Sequence, residues 1–216
     1  MSEQPSFEHL ERHQRDLDAY RSNVRNSAEV RFGPGWWGPW DQYVDLPEGG
    51  HIVDLGCGPG TLLGRLRARN PKARLTGVEL HPALLEEAQQ HLADAQVSLI
   101  QGDLAVPVVI PDASVDVVVS SLSFHELPHP PHLLENAARI LKPGGTLVLF
   151  DIVKWPLSAY MQGKELTPDT LDHYREHCLF SPEDLAWLVQ AHGLEVQEVF
   201  TRHSGRFAYL FAQKPA

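Results

Sequence analysis

The stretch Val53-Asp54-Leu55-Gly56-Cys57-Gly58-Pro59-Gly60 decides the reading of this chain. It continues an apolar, β-branched run from His51-Ile52. It leads into Thr61-Leu62-Leu63-Gly64-Arg65-Leu66, whose leucines have helical spacing. The pattern predicts a strand, a glycine turn and a helix start. Glycines at alternate positions remove the Cβ atoms that would keep a ligand off the backbone. The free N–H groups at the helix start favour a polar or anionic ligand group. The next predicted strand, Arg74-Leu75-Thr76-Gly77-Val78, ends in Glu79. A carboxylate at that place can accept hydrogen bonds from two ribose hydroxyls. Turn and acid together indicate an adenosine-containing ligand.

The third glycine narrows the choice. A dinucleotide fingerprint, G-x-G-x-x-G, would need a glycine at Thr61. The spacing here is G-x-G-x-G, with Asp54 two residues ahead of Gly56. The run Asp-Leu-Gly-Cys-Gly-Pro-Gly resembles the first motif of the class I S-adenosylmethionine (SAM)-dependent methyltransferases, closest to their small-molecule "type 11" group. Further landmarks follow in order over residues 45 to 215. Val78-Glu79-Leu80 resembles the ribose acid with its adenine-packing neighbour, and Gln101-Gly102-Asp103-Leu104 the acid that meets the adenine amino group. Asp116-Val117-Val118-Val119-Ser120-Ser121 resembles the fourth strand, and Ile140 to Leu149, through Lys142-Pro143-Gly144-Gly145, a helix stop and fifth strand. The resemblance implies SAM as cofactor. It implies contacts from Asp54, Gly56, Cys57 (through its backbone), Gly58, Gly60, Glu79, Leu80, Asp103, Leu104, Ser120 and Ser121.

After Gly50 strand-like and helix-like segments alternate, which indicates a mostly parallel sheet with helices on both faces. Leu194 to Thr201 and Arg206 to Ala212 read as strands joined by a short turn at Ser204-Gly205, hence antiparallel. The expected fold class is α/β: a doubly wound, Rossmann-like sheet of seven strands, mostly parallel, with an antiparallel strand near one edge. Residues 45–216 form this domain. Residues 1–44 are an appendage, with a helix over Ser6 to about Val30 that bears Phe7, Leu10, Leu17 and Val24. The segment from Arg31 to Trp40 is rich in Gly and Pro and is expected to be irregular. Its Trp36 and Trp37 either plug the core edge or form an aromatic lid over an acceptor.

The chain has 216 residues and a formal charge of −10. One α/β domain uses that length. The acidic balance, without a Lys/Arg cluster, argues against nucleic acid. No apolar run suits a membrane span, and no signal-peptide core follows Met1. Cys57 and Cys178 make no disulfide framework and read as reduced thiols of a cytoplasmic protein. The composition does not fix an oligomeric state.

On the acceptor side stands Ser123-Phe124-His125-Glu126-Leu127-Pro128-His129-Pro130-Pro131-His132. His125 is the candidate proton acceptor of the reaction, and otherwise a loop-shaping residue. No metal site is expected among the three histidines of this loop, because its prolines restrict it and no cysteine joins them. His173 and His177 lie one helical turn apart and are expected to face solvent or the cleft. Trp155 and Tyr160 are weaker acceptor-pocket candidates. The expected reaction is methylation of a small organic acceptor at oxygen, nitrogen or carbon. A non-catalytic SAM-binding module and an NAD-type oxidoreductase are the alternatives. Methylation of nucleic-acid amino groups fits poorly, because Ser121-Leu122-Ser123 stands where that group carries Pro-Pro-Tyr or Pro-Pro-Phe.

Overall fold

The computed structural model describes residues 31–93 and 95–216. The helix expected over Ser6 to Val30 lies outside them. The described elements are α1 (Pro34–Tyr43), β1 (His51–Leu55), α2 (Thr61–Arg69), β2 (Arg74–Glu79), α3 (Pro82–His91), β3 (Val97–Gln101) and β4 (Val115–Ser121). A single 3-10 turn (Phe124–Glu126) follows, then α4 (Pro131–Ile140), β5 (Leu141–Ile152), α5 (Leu157–Tyr160), α6 (Pro168–His177), α7 (Pro182–Ala191), β6 (Glu195–Arg202) and β7 (Phe207–Gln213). The strands form one seven-stranded sheet in the order β3-β2-β1-β4-β5-β7-β6. β1 to β5 pair in parallel, and β7 runs antiparallel to both of its neighbours. This is the doubly wound α/β arrangement with its antiparallel strand next to the edge.

Alternation along the central strands divides the core into two apolar layers. Val53, Leu55, Val118, Leu147, Leu149 and Leu210 face α4 and α7, whose Leu133, Leu134, Ala137, Leu185 and Val189 are buried against them. Ile52, Val117, Val119, Val148, Tyr209 and Phe211 face the other way, under Leu62, Leu63 and Leu66 of α2 and Ala88 of α3. Buried on both sides, β1 carries apolar Ile52, Val53 and Leu55 beside two buried polar residues, His51 and Asp54, the pattern of a central parallel strand. Among the described residues no helix is long and apolar enough to cross a membrane.

The segment Arg31 to Trp40 departs from the expected irregular loop. Pro34 starts α1 at a position where no helical N–H is needed, and Pro39 lies inside it. Pro39 has no N–H to give the Gly35 carbonyl. That carbonyl instead accepts from Arg202 Nη2 of β6 at 2.9 Å. The Trp36 carbonyl accepts from the Tyr209 hydroxyl at 3.2 Å. Tertiary contacts thus replace what proline removes. Trp36 stacks on Tyr209 with ring centroids 4.6 Å apart and meets Phe150 at 5.4 Å, while Trp40 is buried beside it. Of the two readings open to these tryptophans, the core-edge plug is the one their packing shows.

Candidate functional site

Strand order reverses between β1 and β4, and outside their carboxyl ends lies a cleft of about 680 Å³. Asp54, Gly56, Cys57, Gly58 and Pro59 line it from the β1 turn, and Ser121, Leu122, Ser123, His125 and Glu126 from the end of β4. Arg31, Phe32, Phe150, Ile152, His203, Arg206 and Phe207 complete it.

The turn has positive φ at Gly56, Gly58 and Gly60, for different local reasons. A Cβ on Gly56 would lie 2.2 Å from Ser123 Oγ, and one on Gly60 would lie 2.7 Å from Leu92 Cδ1. A Cβ on Gly58 would meet nothing within 4 Å, because Gly58 opens on the cleft. The first and third glycines admit neighbouring protein, and the middle one leaves room for a ligand. Glu79 locks the turn from the end of β2: Oε2 accepts from the Gly58 amide at 2.9 Å and Oε1 from the His81 amide at 2.8 Å. Burial raises the Glu79 pKa, against the pull of those amides.

Asp54 is buried at the floor of the cleft. Burial, and then the neighbouring Glu79, raise its pKa to about 8, with Arg31 pulling the other way. A cation bound at this place would be stabilised by the carboxylate form. Cys57 turns its thiol inward over Gly77, and burial holds its pKa well above the ordinary thiol value.

β4 divides its two serines by face. Ser121 lines the cleft, and its Oγ is shielded from solvent with no hydrogen-bond partner among the described residues. A polar ligand group would supply that partner. Ser120 points the other way and is fully buried, its hydroxyl donating to the Leu55 carbonyl at 2.8 Å. It ties β4 to β1, so the expected ligand contact from Ser120 is corrected to a structural one. Glu79, Leu80, Asp103 and Leu104 do not line the 680 Å³ cleft, and Glu79 reaches it through the Gly58 amide. Leu104 is buried in the core, so its side chain is not available to a ligand. The Leu104 carbonyl accepts from the side chain of Asn136, which holds that loop in place.

His125 reaches the cleft from the 3-10 turn. Its Nδ1 lies 2.5 Å from Oδ1 of Asp151, and its Nε2 lies 3.2 Å from Oε1 of Glu126. Asp151 also accepts from the amides of Phe124 and Ile152. Burial opposes the charged imidazolium, but Asp151 and Glu126 outweigh it, and the His125 pKa rises from 6.5 to about 10. In this arrangement His125 carries a proton at neutral pH and donates hydrogen bonds. It does not stand as the proton acceptor expected of it.

The remaining acceptor-side expectations are revised. Trp36 is covered by Phe32 at 4.8 Å, and Trp37 lies under Arg69, whose guanidinium is 4.5 Å from the ring. Neither lines the cleft, and Phe32 does. Tyr160 is buried against Trp155 and Tyr174, and Trp155 reaches the cleft region only through Arg206, 5.4 Å above its ring. His173 is exposed, whereas His177 is buried against His125 rather than facing solvent. Asp151, Phe150, Arg206 and Phe207 were not singled out in the sequence. Asp151 had a signal: like Glu79, it is an acid near the carboxyl end of a parallel strand.

A family model described as a methyltransferase domain matches residues 53–149. Trans-aconitate 2-methyltransferase of Methylobacterium nodulans is 37% identical over 106 residues, which cover 49% of this chain and 40% of that one. The 27-O-demethylrifamycin SV methyltransferase of Amycolatopsis mediterranei is 32% identical over 122 residues, covering 55% and 44%. The chain thus spans less than half the length of these curated relatives. A SAM-dependent methyltransferase from Aquifex aeolicus superimposes with a TM-score of 0.67 at 20% identity, covering 89% of this chain and 97% of that one. A putative methyltransferase from Haloferax volcanii, solved in complex with the activator Trm112, gives 0.73 at 21% identity, covering 94% and 97%. The glycine turn, the strand-end acid and the seven-stranded order agree with these matches: residues 53–149 are similar to the methyltransferase domain, and the chain shares the fold of the solved methyltransferases.

Proposed function

We propose that the chain binds SAM across the Gly56–Gly60 turn and transfers its methyl group to a small organic acceptor held in the same cleft. The observation that carries this reading is the junction at Gly58. Its backbone opens on the cleft with nothing where a Cβ would stand, while the carboxylate of Glu79 is fastened to its amide. Glu79 would hold the ribose, with Leu80, Asp103 and the backbone of Leu104 on the adenine side. The backbones of Gly56, Cys57, Gly58 and Gly60 would pass close to the cofactor. Asp54 and Ser121 would hold the methionine portion.

When bound, SAM supplies a methyl group already activated on a sulfonium. The protein's task is then to hold the reactants at attack distance and to exclude water. Positioning of this kind contributes roughly 7–11 kcal/mol in well-oriented reactions. Phe32, Phe150 and Phe207 give the acceptor end apolar contact, and His203, Arg206, His125 and Glu126 give it polar groups. This mixture suits a small, partly apolar acceptor that attacks through oxygen, nitrogen or carbon. From the N-terminal segment, Arg31 and Phe32 line the cleft in this reading.

Calorimetry with SAM, its demethylated product and NAD tests the binding step, and methyl transfer to a panel of small acceptors tests the reaction. Binding of NAD but not SAM would overturn the reading. Tight SAM binding with no transfer to any acceptor would reduce the protein to a SAM-binding module.

A further inference from the structure

The 3-10 turn after β4 and the last residue of α6 bring His125, Glu126 and His177 together. Glu126 Oε1 lies 3.2 Å from His125 Nε2 and 3.9 Å from His177 Nδ1, and the three donor atoms all fall within 4.8 Å of one another. A tetrahedral ion with donors about 2.0–2.2 Å away sets those donors roughly 3.3 Å apart. His125 and Glu126 already stand at that spacing, and His177 would draw in to reach it. The side chains are already withdrawn from water, at 9%, 20% and 5% exposure for His125, Glu126 and His177.

A second observation concerns what stands behind the histidine. Asp151 binds His125 Nδ1 and is itself fixed by two backbone amides. An ion bound here displaces the proton that His125 Nε2 shares with Glu126, while Asp151 keeps the proton on Nδ1, fixes the ring orientation and strengthens Nε2 as a ligand, as a carboxylate does behind metal-bound imidazoles. His125 and Glu126 also line the large cleft, and His125 and His177 line a smaller cavity of about 130 Å³. Among the described residues, the cluster thus faces cavity space where a further ligand atom would stand.

We propose that His125, Glu126 and His177 form a binding site for a divalent transition-metal ion of the zinc type, opening on the acceptor end of the cleft. Two imidazoles and one carboxylate favour zinc or its first-row neighbours over magnesium or calcium, which take oxygen ligands. The site uses Glu126 and His177, which the transfer reading does not need as cofactor ligands. Under that reading a metal ion here would touch the acceptor and not SAM.

The test is a titration of the metal-free protein with Zn²⁺, with Co²⁺ as the coloured probe and Mg²⁺ as the control. Saturable binding of one Zn²⁺, a visible cobalt band of a four-coordinate site and no competition by Mg²⁺ are expected. Glu126→Gln and His177→Asn should each weaken Zn²⁺ binding at least tenfold, and Asp151→Asn should weaken it by a smaller factor. Glu126→Gln is nearly isosteric and keeps the test valid if a histidine variant does not fold. Absence of saturable binding, or unchanged affinity in folded Glu126→Gln, overturns the site. SAM affinity measured in the same samples separates this outcome from failure of the cofactor reading, since the metal site and the glycine turn are held by different residues.

Discussion

The carboxylate of Glu79 accepts the amide of Gly58 at 2.9 Å, so the end of β2 holds the turn that follows β1. Glu79 therefore shapes the glycine turn even before any ribose is present. Glu79→Ala should remove that bond together with those to the ribose hydroxyls. Hydrogen bonds to charged groups contribute about 1.5–3 kcal/mol each, so SAM affinity should fall at least tenfold in calorimetry. Glu79→Gln keeps the shape but lacks the charge and should fall between the two. If folded Glu79→Ala binds SAM as the parent does, Glu79 is a turn clamp and nothing more.

The glycines should respond in opposite ways. Gly58→Ala places a methyl group in the open cleft at φ +53. The left-handed conformation costs a non-glycine residue about 1–2 kcal/mol, a small loss in the melting temperature of the unliganded protein. The loss of SAM affinity should be larger, tenfold or more. Gly56→Ala instead drives its methyl against Ser123 and breaks the 3.0 Å bond from Ser123 Oγ to the Gly56 carbonyl. Its main effect should be on stability, read by thermal unfolding without ligand. Equal stability losses with unchanged SAM binding in both would remove the turn from the cofactor site.

Asp54 sets a pH dependence. Its folded pKa of about 8 lies above the ordinary carboxylate value of 3.8, so the folded, unliganded state favours the protonated form. The stability tied to this group is present at low pH and is lost as pH rises toward and through 8. A bound sulfonium and ammonium reverse the preference, because a cation favours the carboxylate. SAM affinity should rise between pH 6 and pH 8, with protons released on binding at the lower pH. Calorimetry in buffers of different ionisation enthalpy counts those protons. Asp54→Asn should release none. Proton release equal to the parent's in Asp54→Asn would assign the titration elsewhere.

What the sequence made legible followed from local patterns. The strand-turn-helix around Gly56–Gly60, the acid of Glu79 and the apolar strands depend on neighbours a few residues apart, and periodicity reports those. The hidden parts depended on contacts between distant segments. α1 continues across Pro39 with Arg202 donating to the Gly35 carbonyl and Trp36 packed on Tyr209, and no local rule contains those contacts. Ser120 and Ser121 are chemically alike, and only their register in β4 sends one inward and the other to the cleft. His177 could be seen to pair with His173 along a helix, but not to meet Glu126 and His125 from another segment.

Trp36 separates a lid from a plug. It is 2% exposed, stacked on Tyr209 and covered by Phe32, which is the ring that lines the cleft. Removing a buried aromatic side chain costs about 3–5 kcal/mol, so Trp36→Ala should lower the unfolding free energy by that order. Trp36→Phe keeps most of the ring and deletes an indole N–H that has no partner among the described residues, so its loss should be smaller. In both variants SAM affinity and turnover per folded molecule should stay within about twofold of the parent, a change of roughly 0.4 kcal/mol. Phe32→Ala should show the reverse balance, with less effect on stability than Trp36→Ala and a larger loss of turnover, because it opens the cleft. If Trp36→Ala instead keeps the parent's stability and loses most of its turnover, the tryptophan acts over the acceptor, and α1 is a moving cover rather than part of the packed sheet.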